Sequence, residues 1–226
     1  MDRLHRTRLL FGDNAIEKLR NATVMVVGCG AVGSFAIEAL ARSGIGHIIV
    51  VDFDSVDISN INRQLFALES TIGEPKVVVA QKRIHDINPD IHVTVLNIFF
   101  DEKSEIGVRP DFIIDAIDTV SSKVALYKWA HKNNVPLISS MGAASKTDIA
   151  QIKIAPISKT SVCPLAHRIR RAVRDENLPD FPVVFSTQLP HLVVGHAKNL
   201  GSIITVTGTF GLMLANYVIG EIISLK

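Results

Sequence analysis

Two hydrophobic rhythms alternate along this chain. Short, nearly continuous apolar runs occur at Thr23–Val27, His47–Val51, His92–Leu96, Phe112–Asp115 and Pro136–Ser139. Each is long enough for a strand buried on both faces and too short for a helix. Between them lie stretches with helical spacing, at Gly33–Arg42, Lys76–Ile87 and about Ser121–Lys132. Gly44 stands where a helix C-cap is expected, and Asn88-Pro89 stops the second helix because proline disfavours helical geometry in the residue before it. Strands alternating with helices of this length predict an α/β fold, a doubly wound sheet of the Rossmann type.

After Ser140 the rhythm changes. Ile152–Ile157 reads as a strand, Pro164–Arg174 as a basic helix, Val183–Phe185 as a short strand and Leu189–Ser202 as a loop. The apolar stretch from Ile203 to Leu225 is long enough for a membrane span. Gly208, Gly211, Asn216, Gly220 and Glu221 interrupt it, and Leu212, Ala215, Ile219 and Ile222 recur at helical spacing, so it reads as a core helix. No repeat or linker divides the chain. A single domain over residues 1–226 is expected, with a nucleotide-binding part at 1–140 and a substrate-facing part with the last helix at 141–226.

Composition narrows the picture. A chain of 226 residues with 47% apolar content can bury a full core. The net charge of +2 announces no nucleic-acid binder, yet no Asp or Glu lies between Gln151 and Arg174, where Lys153, Lys159, Arg168, Arg170, Arg171 and Arg174 accumulate. That run suits RNA phosphates or a solvated helix face. The two cysteines, Cys29 and Cys163, form no CxxC pair, which excludes a disulfide framework and a four-cysteine zinc site. The charged N-terminus has no signal-peptide pattern, and a cytoplasmic protein without a membrane anchor is expected.

The candidate chemistry begins at Gly28-Cys29-Gly30-Ala31-Val32-Gly33, between a predicted strand and a predicted helix. Gly28 suits the tight turn, Gly30 the approach of a phosphate, and Gly33 close contact of helix and strand. Asp52 closes the next strand nineteen residues after Gly33, where a ribose acceptor is expected. NAD and ATP satisfy this much equally. The polar run that follows, with Asp54, Asn60, Arg63 and Gln64, and Lys76 after Gly73-Glu74-Pro75, favours a triphosphate, because two cations suit the charge that develops on departing pyrophosphate. There is no GxxxxGK[ST], so this is not a P-loop. Asp118, just past a strand's carboxyl end, is a candidate Mg2+ ligand or a cap for the helix near Ser121.

These pieces, with Arg3-Leu4-His5-Arg6 and Asp115–Asp118, resemble the ubiquitin-activating-enzyme superfamily (ThiF/MoeB/HesA), whose members adenylate carboxylates with ATP. The resemblance implies Asp52 on the ribose, with Asn60, Arg63 and Lys76 on the phosphates. It places Asp118 at the metal and Arg6 on the nucleotide of the opposite subunit of a homodimer. The second half resembles the branch that dehydrates threonylcarbamoyladenosine in tRNA. The matching segments are Ile138–Ala143, Ile157–Ala166 leading into Arg168-Ile169-Arg170-Arg171, Val184-Phe185-Ser186 and Gly201–Leu212. The resemblance implies ATP and Mg2+ as cofactors, with a monovalent cation as a further candidate and no zinc. It implies a tRNA modified at adenosine 37 as substrate, with Lys159, Arg168, Arg170 and Arg171 as candidate contacts, and a sulfur-transfer protein as a further candidate partner. Cys163, at a predicted helix N-terminus, is either a nucleophile or structural. Two other readings stay open: an activator of a ubiquitin-like sulfur carrier, and a nicotinamide-dependent enzyme or binding module.

Overall fold

The computed structural model describes residues 2–191 and 200–224. Seven strands form one sheet in the order β3-β2-β1-β4-β5-β7-β6. They are β1 (Thr23–Val27), β2 (His47–Val51), β3 (His92–Leu96), β4 (Phe112–Asp115), β5 (Leu137–Ser140), β6 (Ile152–Pro156) and β7 (Pro182–Ser186). All pairings are parallel except β6 with β7, so the sheet is mixed.

The helices are α1 (His5–Phe11), α2 (Asp13–Asn21), α3 (Gly33–Ser43), α4 (Lys76–Ile87), α5 (Val120–Lys132), α6 (Pro164–Asp175) and α7 (Ile204–Ile223). Strand side chains sort by the two-residue period onto opposite faces. Val24, Val26, Ile48, Val50, Ile114, Ile138 and Val184 join the core under α2, α3, α4 and α7. Met25, Val27, Ile49, Val51, Ile113, Leu137, Val183 and Phe185 join the core under α5 and α6. Continuous apolar strands are thus the direct signature of a sheet covered on both sides.

Most predicted elements lie within a residue or two of their expected bounds, and Gly44 caps α3 in the left-handed region at φ 92°. Helices α1 and α2 have no counterpart among the predicted elements. The segment holding Arg3-Leu4-His5-Arg6 is anchored to its own chain: Leu4 is buried against Gly44, and Arg3 donates to the side-chain carbonyl of Asn88. By length and composition α7 is apolar enough to cross a membrane, but half of that stretch is buried in this fold, where it lies on α3. Gly211 permits the approach, since a Cβ there would sit 2.2 Å from the Val32 carbonyl oxygen. The expected loop at Leu189–Ser202 falls partly on residues 192–199, outside the described residues.

Candidate active site

Strand order reverses between β1 and β4, and in a doubly wound sheet the crevice beyond the carboxyl ends at that switch point receives the ligand. A cavity of about 710 Å³ opens there. The glycine turn forms its rear wall. Gly28 has φ 97°, and a Cβ on it would lie 2.7 Å from the Ala116 carbonyl oxygen. On Gly33 a Cβ would lie 1.7 Å from the Gly28 carbonyl oxygen, so only glycine lets α3 start so close to β1. Gly30 differs: a Cβ there would meet only the Gln64 amide, at 3.8 Å. The open side of Gly30 faces the cavity. Helix α3 begins with no side-chain cap and no acid in its first turn, leaving N–H groups and a partial positive charge for an anion.

Asp52 ties the turn to the next strand. Its Oδ2 accepts from the Cys29 N–H at 2.6 Å and its Oδ1 from the Asp54 N–H at 2.9 Å. Asn60 is buried in a short 3-10 turn, where its Oδ1 accepts from the Asp57 N–H at 3.1 Å. Arg63 Nη1 donates to the Ser59 carbonyl at 2.6 Å and to Asn62 Oδ1 at 2.8 Å. Lys76 opens α4 immediately after Pro75, and its Nζ lies 2.8 Å from Asp54 Oδ2 with the side chain only 7% exposed.

The structure therefore brings Gly28, Gly30, Asp52, Asp54, Asn60, Arg63, Gln64, Lys76 and Asp118 to one cavity, while Gly33 braces the turn behind it. Asp118 sits exposed in the loop after β4 and accepts from Thr119 Oγ1 at 3.2 Å. It is not the cap of α5: Thr119 holds the N-cap position and makes no side-chain cap bond. Arg6 is exposed on α1 and does not line this chain's cavity.

The basic residues of the second half separate. Arg168 lines the 710 Å³ cavity, from α6. Arg170 and Arg171 line a second groove of about 390 Å³, and Lys159 lines neither. Arg170 Nη1 donates to the Thr160 carbonyl at 3.0 Å and also to the Thr160 hydroxyl. Arg171 lies 3.6 Å from Asp175 one turn on.

Both cysteines are buried. Burial, and secondarily the Asp52 charge, pushes the Cys29 thiol well above its usual range. Cys163 is the N-cap of α6, its Sγ accepting from the Gly142 N–H at 3.4 Å and the Ala166 N–H at 3.5 Å. That geometry gives Cys163 a structural task.

Sequence reasoning missed the polar cluster under the cavity floor. Lys123 and Asp115 are both fully buried and pair at 2.8 Å. Lys123 Nζ also donates to Ser139 Oγ at 3.1 Å and the Ser140 carbonyl at 2.8 Å. The Tyr127 hydroxyl donates to Asp115 Oδ2 at 2.7 Å. Burial lowers the Lys123 pKa against the opposing pull of Asp115, and burial followed by the Asp115 charge raises that of Tyr127 well above the phenol range. The cluster joins α5 to the carboxyl ends of β4 and β5, the strands that carry Asp118 and the Gly142 loop. Its sequence trace is Lys123 and Tyr127 four apart on the inner face of α5.

Residues 4–224 match the ThiF family model. The chain belongs to the ThiF family. A relative from Bacillus subtilis, tRNA threonylcarbamoyladenosine dehydratase, is 47% identical over 194 residues, covering 83% of this chain and 76% of its own. The crystal structure of the E. coli tRNA N6-threonylcarbamoyladenosine dehydratase with ATP superposes at a TM-score of 0.91 with 35% identity, over 99% of this chain and 94% of that one. The sulfur carrier protein adenylyltransferase of Thermus thermophilus is 33% identical over 142 residues, 61% of this chain and 52% of its own.

Proposed function

We propose that this chain is an ATP-dependent tRNA threonylcarbamoyladenosine dehydratase acting in the cytoplasm, where ATP and tRNA are found. The single observation that carries the reading is the meeting, in one cavity, of the open glycine turn, Asp52, Arg63, Lys76 and Asp118. The near full-length likeness to dehydratases supports this branch over carrier activation.

The chemistry follows from that arrangement. Asp52, already fixed by two backbone donors, keeps lone pairs for the ribose hydroxyls. The α3 N-terminus and the bare face of Gly30 cradle the phosphates. The threonylcarbamoyl carboxylate attacks the α-phosphorus, the bond from that phosphorus to the α,β-bridging oxygen breaks, and pyrophosphate leaves toward Arg63 and Lys76. Those cations stabilise charge developing on the leaving group. The side chain of the modified base then closes on its activated carboxyl carbon and expels AMP, which carries away the former carboxylate oxygen. Ring closure is a net loss of water. An internal nucleophile has a large effective molarity, so no enzymic thiol is needed, in keeping with the buried, capping Cys163.

Mg2+ suits the site as a partner of one carboxylate plus phosphate oxygens and water, and the exposed Asp118 at the cavity edge offers such a carboxylate. The ion would supply charge neutralisation of the triphosphate. Lys159, Arg168, Arg170 and Arg171 are proposed tRNA contacts, with Arg168 at the mouth of the nucleotide cavity.

The test is incubation with ATP, Mg2+ and threonylcarbamoyladenosine-containing tRNA, with digestion to nucleosides and mass spectrometry. Loss of one water from the modified nucleoside is expected, dependent on ATP. ATP–pyrophosphate exchange that requires a small protein with a Gly-Gly tail, and no tRNA, would overturn the reading in favour of carrier activation.

A further inference from the structure

Helix α6 is shared by two cavities. Pro164, Leu165 and Arg168 face the nucleotide cavity, whereas His167, Arg170, Arg171, Val173 and Arg174 face the second groove. The groove residues His167, Arg170, Arg171 and Arg174 recur at i, i+3, i+4 and i+7. They make a stripe about 10 Å long on one side of the helix.

The groove is a built concavity. Its floor is apolar, with Ile157 and Val173 buried and Leu178 half-buried. Arg170 is locked as one wall by Thr160, and Lys128 clamps the end of α6 to α5 through Glu176 at 2.8 Å. The opposite wall carries Ser158 and Asp180, whose carboxylate accepts from Ser158 Oγ at 2.5 Å. Among the lining residues Asp180 is the one acid against Arg170, Arg171 and Arg174, of which Arg171 and Arg174 lie 3.6 and 3.8 Å from the neighbouring Asp175.

An apolar floor between guanidinium and imidazole rims fits one nucleotide, while Asp180, whose oxygens already accept from Ser158 and the Phe181 N–H, shapes the wall. Its base lies on the floor or against a guanidinium plane, and its phosphates lie on the arginines. Single-stranded RNA loops are recognised in this manner, with unstacked bases laid on His or Arg planes. We propose that this groove takes one unstacked nucleotide of the tRNA anticodon loop, a neighbour of the modified adenosine that enters the cavity past Arg168. The inference rests on the dehydratase reading above. It adds His167 and Arg174 as RNA contacts and makes α6 the rail that sets the register between substrate base and flanking nucleotide.

The test uses His167→Ala, Arg174→Glu and their combination in the full chain. The Arg174 side chain is 79% exposed and His167 is exposed too, so these changes leave the fold undisturbed. Binding of threonylcarbamoyladenosine-containing tRNA is measured over a range of salt, with ATP affinity measured alongside. The double variant is expected to bind tRNA about tenfold more weakly and ATP as wild type does. The slope of log affinity against log salt should become shallower by about 0.7–0.9 for each phosphate the variant leaves unneutralised. Ultraviolet cross-linking should join anticodon-loop nucleotides to the peptide spanning residues 170–181, which lines the groove and not the nucleotide cavity. A double variant that retains wild-type tRNA affinity, or cross-links from that peptide to another arm of the tRNA, overturns the groove assignment while the dehydratase reading stands. A wild-type protein that neither holds nor dehydrates the tRNA overturns both.

Discussion

Lys76 is almost wholly buried, and its ammonium rests on the half-exposed Asp54. Removing the lysine strands no buried charge, since water reaches the carboxylate, so Lys76→Ala should fold. Arg63 is held by the Ser59 carbonyl and the Asn62 side chain, both surface partners, and the same holds for Arg63→Ala. Each substitution is expected to slow adenylation about a hundredfold, roughly 3 kcal/mol of lost stabilisation of departing charge. Wild-type pyrophosphate release would remove that residue from the chemistry. Asp118→Asn keeps shape and loses the charge a hard cation prefers, so the Mg2+ concentration for half-maximal turnover should rise while ATP binding changes little. An unshifted magnesium titration counts against Asp118 as ligand. Lys123 obeys a different logic, because both members of its pair with Asp115 are sealed from solvent. Lys123→Met would leave the buried carboxylate without its countercharge, held only by neutral donors such as Tyr127 and Ser139, and cost about 3–5 kcal/mol, and adding Asp115→Asn should recover part of it. Urea unfolding of the two variants measures this, and equal midpoints for wild type and Lys123→Met would deny the pair its structural weight.

Elements report their own chemistry at the end of the sheet away from the cavity. His47 opens β2 and His92 opens β3, with ring centroids 4.2 Å apart, and His47 Nε2 lies 2.9 Å from Thr94 Oγ1. Burial first, and the facing His92 second, lower the His47 pKa below its usual 6.5. The folded chain therefore takes up this proton less readily than the unfolded chain. The His47 contribution to stability is complete above the ordinary histidine value and is lost as pH falls below it. Thermal unfolding at about pH 7.5 and about pH 5.5, on either side of that value, should show a loss that is smaller in His47→Gln. A parallel loss in both proteins would place the acid sensitivity elsewhere. Strands such as Thr23–Val27 were legible because burial on both faces writes a continuous apolar run into the sequence. Gly28 and Asp52 were legible because a phosphate turn fixes local spacing. Helix α1 was not, since its seven residues bury no side chain, and the nine residues of α2 show their period only in Ala15, Ile16 and Leu19, too short a run to stand out alone. The Asp115–Lys123–Tyr127–Ser139 cluster joins three elements, and its one local trace, Lys123 and Tyr127 four apart on α5, points to none of the partners on the strands. The groove on α6 was half legible, as positive charge without its apolar floor.

At the scale of the molecule, helix α1 is the feature that one chain leaves unused. Leu4 pins its start into the core, yet Arg6, Leu9 and Leu10, at i, i+3 and i+4, share one outward face. Leu9 is 67% and Leu10 74% exposed, an apolar strip beside a cation that does not line its own cavity. A second copy of the chain would account for both features at once, with the leucines buried against it and Arg6 reaching its nucleotide, and this is the expectation to test. Mixing Arg6→Ala with Lys76→Ala chains tests this directly. In a hybrid two-fold dimer one cavity loses both cations, while the other keeps its own Lys76 and receives an intact Arg6 from across the interface. Random exchange should therefore restore about a quarter of wild-type activity from two inactive parents. If Arg6 served its own cavity, every hybrid site would lack one cation and none would work. Subunit exchange demonstrated by mass, with no activity regained, would rule out the trans assignment.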